Sequence, residues 1–210
     1  MAAMAFARDP ATAAYYDRRA AEYDDWYTGA GLYADRPRPG WDAELADVVA
    51  LVRGLEPART LDIACGTGFL TRELRGSVVG LDQSPAMVEI AQGRLPRGLA
   101  VIGDSLALPF ATGAFDRVFT AHFYGHLPPD ERSRFLREAA RVARELVVVD
   151  SALRPAVESA GFQERVLRDG SRHRVFKRYL RADELAGELG GEPLLAGTWF
   201  VAARAALPVS

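Results

Sequence analysis

Three carboxylates at the ends of short apolar segments carry the strongest chemical signal in the sequence. Asp62 precedes a Gly-Thr-Gly turn at residues 66–68, Asp82 ends the next apolar segment, and Asp104 follows the third. A carboxylate in such a place can accept hydrogen bonds from both hydroxyls of a ribose or from an adenine amino group, or can pair with a cation. The row of acids therefore suits a ligand that combines a cationic group with a ribose and an adenine.

The glycine turn narrows the choice of ligand. A strand, a glycine turn and a helix start are the elements that bind ligands at the edge of open α/β sheets. The third glycine of the dinucleotide fingerprint is missing, because Leu70 and Thr71 follow Gly68. Asp62 would also lie unfavourably near a pyrophosphate. S-adenosylmethionine, which has a sulfonium, an amino group and no pyrophosphate, fits better than a dinucleotide.

The elements that must position these residues alternate between short apolar strands and helices. The predicted strands are Thr60–Ala64, Ser77–Leu81, Leu99–Ile102, Phe115–Ala121 and Leu146–Asp150, and the helices between them are Gly68–Arg75, Pro85–Arg94 and Pro129–Arg144. This alternation predicts right-handed crossovers and a doubly wound, mostly parallel sheet. Before it, helices are predicted over Ala11–Tyr27 and Trp41–Gly54; after it come an extra strand or mobile arm over Arg165–Arg181, a short helix over Asp183–Leu189, and closing strands over Pro193–Ala196 and Trp199–Ala203.

Length and composition limit the class of protein. The 210 residues fit one α/β domain, and 49% hydrophobic residues are enough for a core. A formal net charge of -2 disfavours a protein that coats nucleic acid or an anionic membrane. The single cysteine, Cys65, excludes a disulfide framework. The segment Met1–Pro10 is too short and too charged for a signal peptide, so we expect a soluble cytoplasmic protein.

Four segments in succession resemble the motifs of class I S-adenosylmethionine-dependent methyltransferases. They are residues 62–68, 80–87, 103–104 and 115–118, and the likeness extends over about Thr60 to Asp150. It implies a Rossmann-like seven-stranded sheet with the last strand antiparallel, S-adenosylmethionine as cofactor, and methyl transfer as activity. One departure is that Arg144-Glu145-Leu146 enters the fifth strand without the Pro-Gly turn common there in the family.

The resemblance also divides the chain and assigns roles to residues. It implies a single domain with a helical cap over residues 1–58, a cofactor-binding core over 59–151, a candidate substrate arm over 152–181, and a helix and strand pair over 182–210. Asp62, Ala64, Gly66 and Gly68 would meet the methionine moiety, Asp82 the ribose, Gln83 and Met87 the adenine faces, Gly103, Asp104 and Ser105 its edge, and Ala121 the pocket from the fourth strand. Tyr15, Tyr16 and Tyr23 would cover the cofactor from the cap.

Candidate catalytic residues follow the fourth predicted strand. Methyl transfer from a sulfonium is a direct displacement that depends on alignment, and a general base helps when the nucleophile must lose a proton. His122 is the first candidate base, His126 the second, and Tyr124 a candidate for orienting substrate. The alternative is that these side chains shape the loop and pack. No metal is expected, because the fourth strand lacks the terminal carboxylate found in metal-dependent relatives.

The basic segment from Arg165 to Tyr179 suggests a substrate arm that recognises an anionic group. Its candidate contacts are His173, Lys177, Arg178 and Tyr179. The alternative is a solvated strand with its charges in water. No aromatic stacking series accompanies the segment, so the expected partner is a small-molecule acceptor rather than nucleic acid. A homodimer stays open, because the aromatic N-terminal helix could equally pack on a second copy.

Two other functions compete with methyl transfer. An S-adenosylmethionine-binding protein that regulates, or that catalyses cyclisation or rearrangement, would carry the same cofactor residues. A nicotinamide-dependent oxidoreductase would share the sheet, but the missing glycine, Asp62 and the lack of a Tyr-x-x-x-Lys pair count against it. The acceptor atom, whether O, N, C or S, is not specified by the sequence.

Overall fold

A seven-stranded sheet runs through the computed structural model, which describes residues 6–7, 9–155 and 157–208. The strands are β1 (Ala58–Ile63), β2 (Gly76–Asp82), β3 (Leu99–Ile102), β4 (Arg117–Ala121), β5 (Glu145–Ser151), β6 (Ala160–Val166), β7 (Arg172–Arg178), β8 (Glu192–Ala196) and β9 (Phe200–Ala206). The helices are α1 (Pro10–Arg19), α2 (Asp25–Thr28), α3 (Trp41–Gly54), α4 (Pro85–Arg94), α5 (Pro129–Val142) and α6 (Ala182–Leu189).

The order of strands in the main sheet is β3-β2-β1-β4-β5-β9-β8. Strands β1 to β5 are mutually parallel, and β9 is antiparallel to both of its neighbours, β5 and β8. The doubly wound sheet with an antiparallel last strand is therefore confirmed. Because the chain reverses its direction of travel across the sheet between β1 and β4, the carboxyl ends of these two strands border a crevice suited to ligands.

Both faces of the sheet are covered, which explains why its strands read as nearly continuous apolar segments. On β5, Leu146 and Val148 belong to one cluster of buried side chains, whereas Val147 and Val149 belong to the cluster on the other face. The first cluster includes Phe135 of α5, and the second includes Val48 of α3. The central strands are thus held rigidly between two layers of helices.

The helix predicted over Gly68–Arg75 is wrong, since the structure has only a 3-10 turn over Thr71–Glu73. The side chains of this turn serve tertiary contacts. Thr71 Oγ1 donates to Asp62 Oδ2 at 2.6 Å, and Glu73 accepts from Arg53 at 2.5 Å. The short connection brings the chain directly from the glycine turn back into β2.

The single helix predicted over Ala11–Tyr27 is also wrong. Asp9 caps α1 by accepting from the backbone N–H groups of Ala11 and Thr12, and a 3-10 turn over Ala20–Glu22 separates α1 from α2. The break lets Asp24 reach the glycine turn, where its carboxylate accepts from Thr67 Oγ1 at 2.6 Å and pairs with Arg94 at 2.5 Å. Tertiary contacts here override the helical pattern.

The basic arm forms an antiparallel hairpin of β6 and β7, so the strand alternative holds. His126 Nδ1 lies 2.5 Å from the Phe176 carbonyl oxygen, which fixes the hairpin against the end of β4. The closing strands are those predicted in place and type, although β9 continues to Ala206. No helix within the described residues is both long and apolar enough to cross a membrane. Met1–Ala5 and Arg8, six of the ten residues weighed as a signal peptide, lie outside the described residues.

Candidate cofactor and acceptor sites

The glycine turn after β1 is held in left-handed backbone conformations. Gly66 and Gly68 have φ of 54° and 77°, and Ala64 has φ of 59°. A Cβ at Gly66 would lie 3.4 Å from the Tyr23 ring, and one at Gly68 would lie 3.2 Å from the Ala91 Cα. The turn therefore lies between the N-terminal cap and α4; glycine is favoured at both positions for φ, and at Gly68 also for space.

A cavity of about 510 Å³ opens beside this turn, at the carboxyl ends of β1, β2 and β4. Residues predicted from the sequence that line it are Tyr16, Tyr23, Ala64, Gly66, Asp82, Gln83, Met87, Gly103, Ser105, Ala121, His122 and His126. Side chains that sequence reasoning missed are Phe6, Ala7, Leu81 and Phe123.

Asp82 braces the turn and faces the cavity. Its Oδ2 accepts from the Gly66 N–H at 2.9 Å, and its Oδ1 accepts from the Ser84 N–H at 3.0 Å. Burial raises the pKa of this carboxyl, while the backbone N–H groups oppose the rise. Since a carboxylate has about four acceptor sites and backbone N–H groups of Gly66, Gln83 and Ser84 contact it, Asp82 can still accept from a ligand hydroxyl.

Asp62 has an unused oxygen. Its Oδ2 accepts from Thr71, whereas the buried Oδ1 has no hydrogen-bond partner among the described residues. Burial raises the pKa of Asp62 to about 8. The side chain lines a smaller cavity of about 260 Å³, which shares Tyr23 and Ala64 with the first. An acid with a spare oxygen in an aromatic recess is suited to a ligand ammonium, so the residues present fit the methionine end of S-adenosylmethionine.

Besides Asp62, three predicted cofactor residues do not line the main cavity. Gly68 packs on α4, and Tyr15 accepts at its hydroxyl from Arg19 at 2.9 Å. Asp104 accepts from the Leu106 N–H through Oδ1 at 2.8 Å and so shapes the loop that presents its neighbours. Gly103, Ser105 and Met87, which were predicted to lie near an adenine, do line the main cavity.

The first described residues close the main cavity. The backbone N–H groups of Phe6 and Ala7 donate to the Glu131 carboxylate at 2.9–3.1 Å. The Phe6 ring stacks on His126 with a centroid distance of 4.8 Å and an interplanar angle of 7°. These residues of the cap are therefore anchored on α5 and form one wall of the cavity.

His122 ends β4 in a left-handed conformation, with φ of 58°, that is uncommon for a side chain of this size. Its ring is buried against Trp26, with centroids 4.6 Å apart, and neither ring nitrogen has a hydrogen-bond partner among the described residues. Burial lowers the pKa of His122 to about 3, although Asp150 opposes the effect. The imidazole is therefore neutral at pH 7 and faces the cavity.

The two other candidates beyond β4 are held by protein groups. His126 donates through Nδ1 to Phe176, and burial lowers its pKa well below the usual range. Tyr124 is 1% exposed and donates to Glu188 at 3.0 Å. Tyr124 lines neither cavity and packs in the core, so the structure does not bring it to the substrate.

A further cavity, of about 1030 Å³, borders the main one of about 510 Å³. We call it the second cavity. The two share Tyr16, Tyr23, His122 and His126 in their walls. The hairpin, the loop before α3 and the loop before β9 contribute to its lining. Within the described residues, no group of three or more His, Cys, Asp or Glu side chains is arranged to hold a metal ion.

Lys177 and Arg178 separate by strand face, because neighbouring residues of a strand point to opposite sides; His173 shares the face of Lys177 but lies near the opposite end of β7. Lys177 and Tyr179 line the second cavity. Lys177 is 3% exposed, and its ammonium pairs with Asp150 at 2.5 Å, so that charge is already used. Arg178 pairs with Glu188 and His173 packs on Tyr15; neither lines the second cavity.

The charge of the second cavity comes from residues that no motif marked. Its lining includes five arginines, drawn from the cap, the loop before α3, the loop after β5 and the hairpin. They are Arg19, Arg36, Arg38, Arg154 and Arg165. Four lie outside the basic segment singled out from the sequence, and only the folding of distant segments brings them together.

Comparison with known proteins agrees with this geometry. A model of the methyltransferase domain matches residues 61–147. Demethylmenaquinone methyltransferase from Thermotoga maritima is 38% identical over 102 residues, which are 46% of this chain and 44% of that protein. The structure of the DhpI–SAH complex has a TM-score of 0.72 and 27% identity, and covers 94% of this chain and 96% of that one. The chain therefore carries a methyltransferase domain over residues 61–147, and its fold is that of class I S-adenosylmethionine-dependent methyltransferases.

The DhpI–SAM–HEP complex gives a TM-score of 0.75 at 24% identity over 96% of this chain and 99% of that one, which supports the fold. The chain spans only about half the length of the curated relatives it matches: 44% of the first and 54% of the second. S-adenosylmethionine is the cofactor of such methyltransferases, and Asp82 and Asp62 line two cavities that share part of their walls.

Proposed function

We propose that the protein transfers the methyl group of S-adenosylmethionine to a small-molecule acceptor bound in the second cavity. The observation that carries the proposal is the meeting of the two cavities at a common wall of Tyr16, Tyr23, His122 and His126. S-adenosylmethionine supplies an electrophilic methyl carbon on a sulfonium. A direct displacement needs its nucleophile on the far side of that carbon, and two adjoining cavities provide such an arrangement.

The roles of the chain's own residues follow from their positions. Asp62 would bind the ligand ammonium through its free Oδ1, and Asp82 would accept from a ribose hydroxyl. Gly66 lets the backbone approach the ligand, and the anchored Phe6 and Ala7 reduce access of water to the cavity. Exclusion of water strengthens each of these polar contacts.

His122 is the general base in this proposal where the acceptor carries a proton that must leave. Its ring is neutral at pH 7 and has a free nitrogen lone pair. A base is most effective when its pKa is near the working pH, and burial lowers the pKa of His122 to about 3. Such a weak base can assist only an acceptor that is itself acidic. For other acceptors the neutral ring would only position the nucleophile.

Formation of S-adenosylhomocysteine, measured by mass spectrometry with a panel of acids, phenols, thiols and amines, tests the proposal. We expect turnover with at least one class and a methylated product of matching mass. If the protein binds S-adenosylmethionine tightly but forms no S-adenosylhomocysteine with any class, a regulatory or cyclase function replaces methyl transfer.

A further inference from the structure

We propose that the acceptor is a small organic acid, held by the arginines of the second cavity and methylated on one of its anionic oxygens. This inference rests on the proposed methyl transfer and specifies its acceptor class. Its basis is the charge, the support and the position of five guanidinium groups: Arg19, Arg36, Arg38, Arg154 and Arg165.

No carboxylate pairs directly with this arginine cluster within the described residues, although Asp42 and Glu44 act electrostatically on Arg38 and Arg154. The cavity lining includes no Asp or Glu, and none of the five guanidinium groups forms an ion pair with a carboxylate among the described residues. Glu44, near Arg154, is occupied by the backbone N–H groups of Thr198 and Trp199 at 2.8 Å. Lys177 and Asp150 neutralise each other. Elsewhere on this chain arginines commonly pair with acids, so a concentration of unpaired cations in one cavity indicates an anionic ligand.

Aromatic rings support the guanidinium groups in place of acids. The four guanidinium carbons of the stacked pairs lie 4.2–4.8 Å from the ring centroids. The pairs are Arg19 on Tyr23, Arg36 on Tyr33, Arg38 on Trp41 and Arg154 on Trp199. A stacked guanidinium keeps N–H groups for oxygen ligands in a fixed fork.

The same stacking disfavours a cationic acceptor. Aromatic rings bind ammonium ligands through their faces, but arginine already occupies a face of Tyr33, Trp41 and Trp199. The five positive charges would also repel an amine in its protonated form. Although the cavity is rich in aromatic rings, its charges select an acid.

The position of the cluster suits transfer to oxygen. Arg19 contacts Tyr23, which belongs to the wall that the two cavities share with His122. An acid bound by the cluster can therefore present one oxygen at this wall. His122, buried and without a hydrogen-bond partner among the described residues, faces that oxygen as a neutral group.

Methyl transfer to an ionised oxygen needs no base. A lone pair of the anionic oxygen forms the O–CH₃ bond while the C–S bond breaks, and the electron pair of the C–S bond stays on sulfur. The sulfonium becomes a neutral thioether, and the acid loses one negative charge. No proton is released from an acid that is already ionised, which agrees with the weak basicity of His122.

Binding is tested first, on protein saturated with S-adenosylhomocysteine. The probes are methylphosphonate, inorganic phosphate and acetate, with phenol and tetramethylammonium as neutral and cationic probes. We expect calorimetry to detect one or more of the anions and neither other probe. The double variant Arg38→Gln and Arg154→Gln should weaken anion binding by about tenfold or more. Arg97→Gln, at an exposed arginine outside both cavities, is the matched control for charge.

Proton release is tested next. Turnover with the best acid is followed in weakly buffered solution at pH 8, where a phenol or ammonium acceptor would release one proton per methyl transferred. An acid should give a methyl ester with no release of a proton. Preference for phosphonates or for carboxylates identifies the kind of acid, and either result supports the inference. Turnover of a neutral or cationic acceptor alone, or equal anion binding by the double variant and Arg97→Gln, overturns it. Loss of S-adenosylhomocysteine binding by the wild type would instead contradict the proposed function.

Discussion

Replacing Asp62 with Asn should separate the recognition of the ligand ammonium from the rest of the cofactor site. Asn keeps the shape and an oxygen that can accept from Thr71, but it removes the negative charge beside the unpartnered Oδ1 position. A hydrogen bond to a charged group contributes ~1.5–3 kcal/mol. The affinity for S-adenosylmethionine should therefore fall by about 10- to 150-fold.

The same contact predicts the direction in which the affinity for S-adenosylmethionine changes with pH. Burial raises the pKa of Asp62 to about 8 in the free protein, so the acid carries a proton at pH 6. A bound ammonium favours the ionised form, and binding then releases that proton. Affinity should rise with pH from about 6 towards about 8, by up to about tenfold per unit. Near ~8 the ligand's own amino group loses its charge, so the rise should end there. The Asp62→Asn variant should show little dependence on pH over the same interval.

Calorimetric titration with two ligands measures both effects. S-adenosylhomocysteine carries the amino acid end, whereas methylthioadenosine lacks it and serves as the matched ligand. The variant should bind methylthioadenosine as the wild type does, at every pH. Equal weakening of both ligands would mean that Asp62 only supports the fold of the turn, and an unchanged affinity for S-adenosylhomocysteine would refute the ammonium assignment.

Four other substitutions test separate parts of the structure. Asp82→Ala should weaken S-adenosylmethionine binding by about 100-fold, because the ribose loses a charged acceptor, and Asp82→Asn should weaken it less; unchanged calorimetric affinity would remove Asp82 from the ribose site. His122→Ala should lower turnover of the true acceptor while cofactor affinity stays nearly constant, and an unaltered rate in steady-state assays would leave His122 no part in the reaction. Glu131→Gln should weaken cofactor binding by about fivefold, since the anchor of Phe6 and Ala7 loses its charge; the dissociation rate of S-adenosylhomocysteine measures this, and an equal rate would contradict the anchoring. Lys177→Met should lower the free energy of unfolding by about 3–5 kcal/mol, because Asp150 is left buried and unpaired. Urea titration should show that the double variant with Asp150→Asn recovers part of this stability. No recovery would argue against the loss of the ion pair as the cause.

The part of the site that the sequence predicts is the part encoded locally. Asp82 ends a strand and Ser84 caps the helix that follows, so their positions depend on a few neighbouring residues. The glycine turn is similarly fixed by the left-handed conformations that Gly66 and Gly68 permit. Local signals of this kind placed most of the first cavity.

Such local signals could not predict the second cavity. Arg38 and Arg154 are more than a hundred positions apart, and neither belongs to a motif. Arg154 is placed by stacking on Trp199 from a distant segment, whereas Arg38 stacks on Trp41, three positions along the chain. The alternation of side chains along β7 explains why two neighbouring cations of the basic arm differ. Lys177 pairs with the buried Asp150, and Arg178 pairs with Glu188. The sequence indicated a cationic arm, but it could not indicate which cations face the cavity.

Binding of the cofactor tests the central claim most directly. Purified protein is titrated by calorimetry with S-adenosylmethionine, S-adenosylhomocysteine and NADH. We predict micromolar binding of the two sulfur ligands and no binding of NADH. Failure of folded protein to bind either sulfur ligand, or tighter binding of NADH, would contradict the assignment of the two cavities.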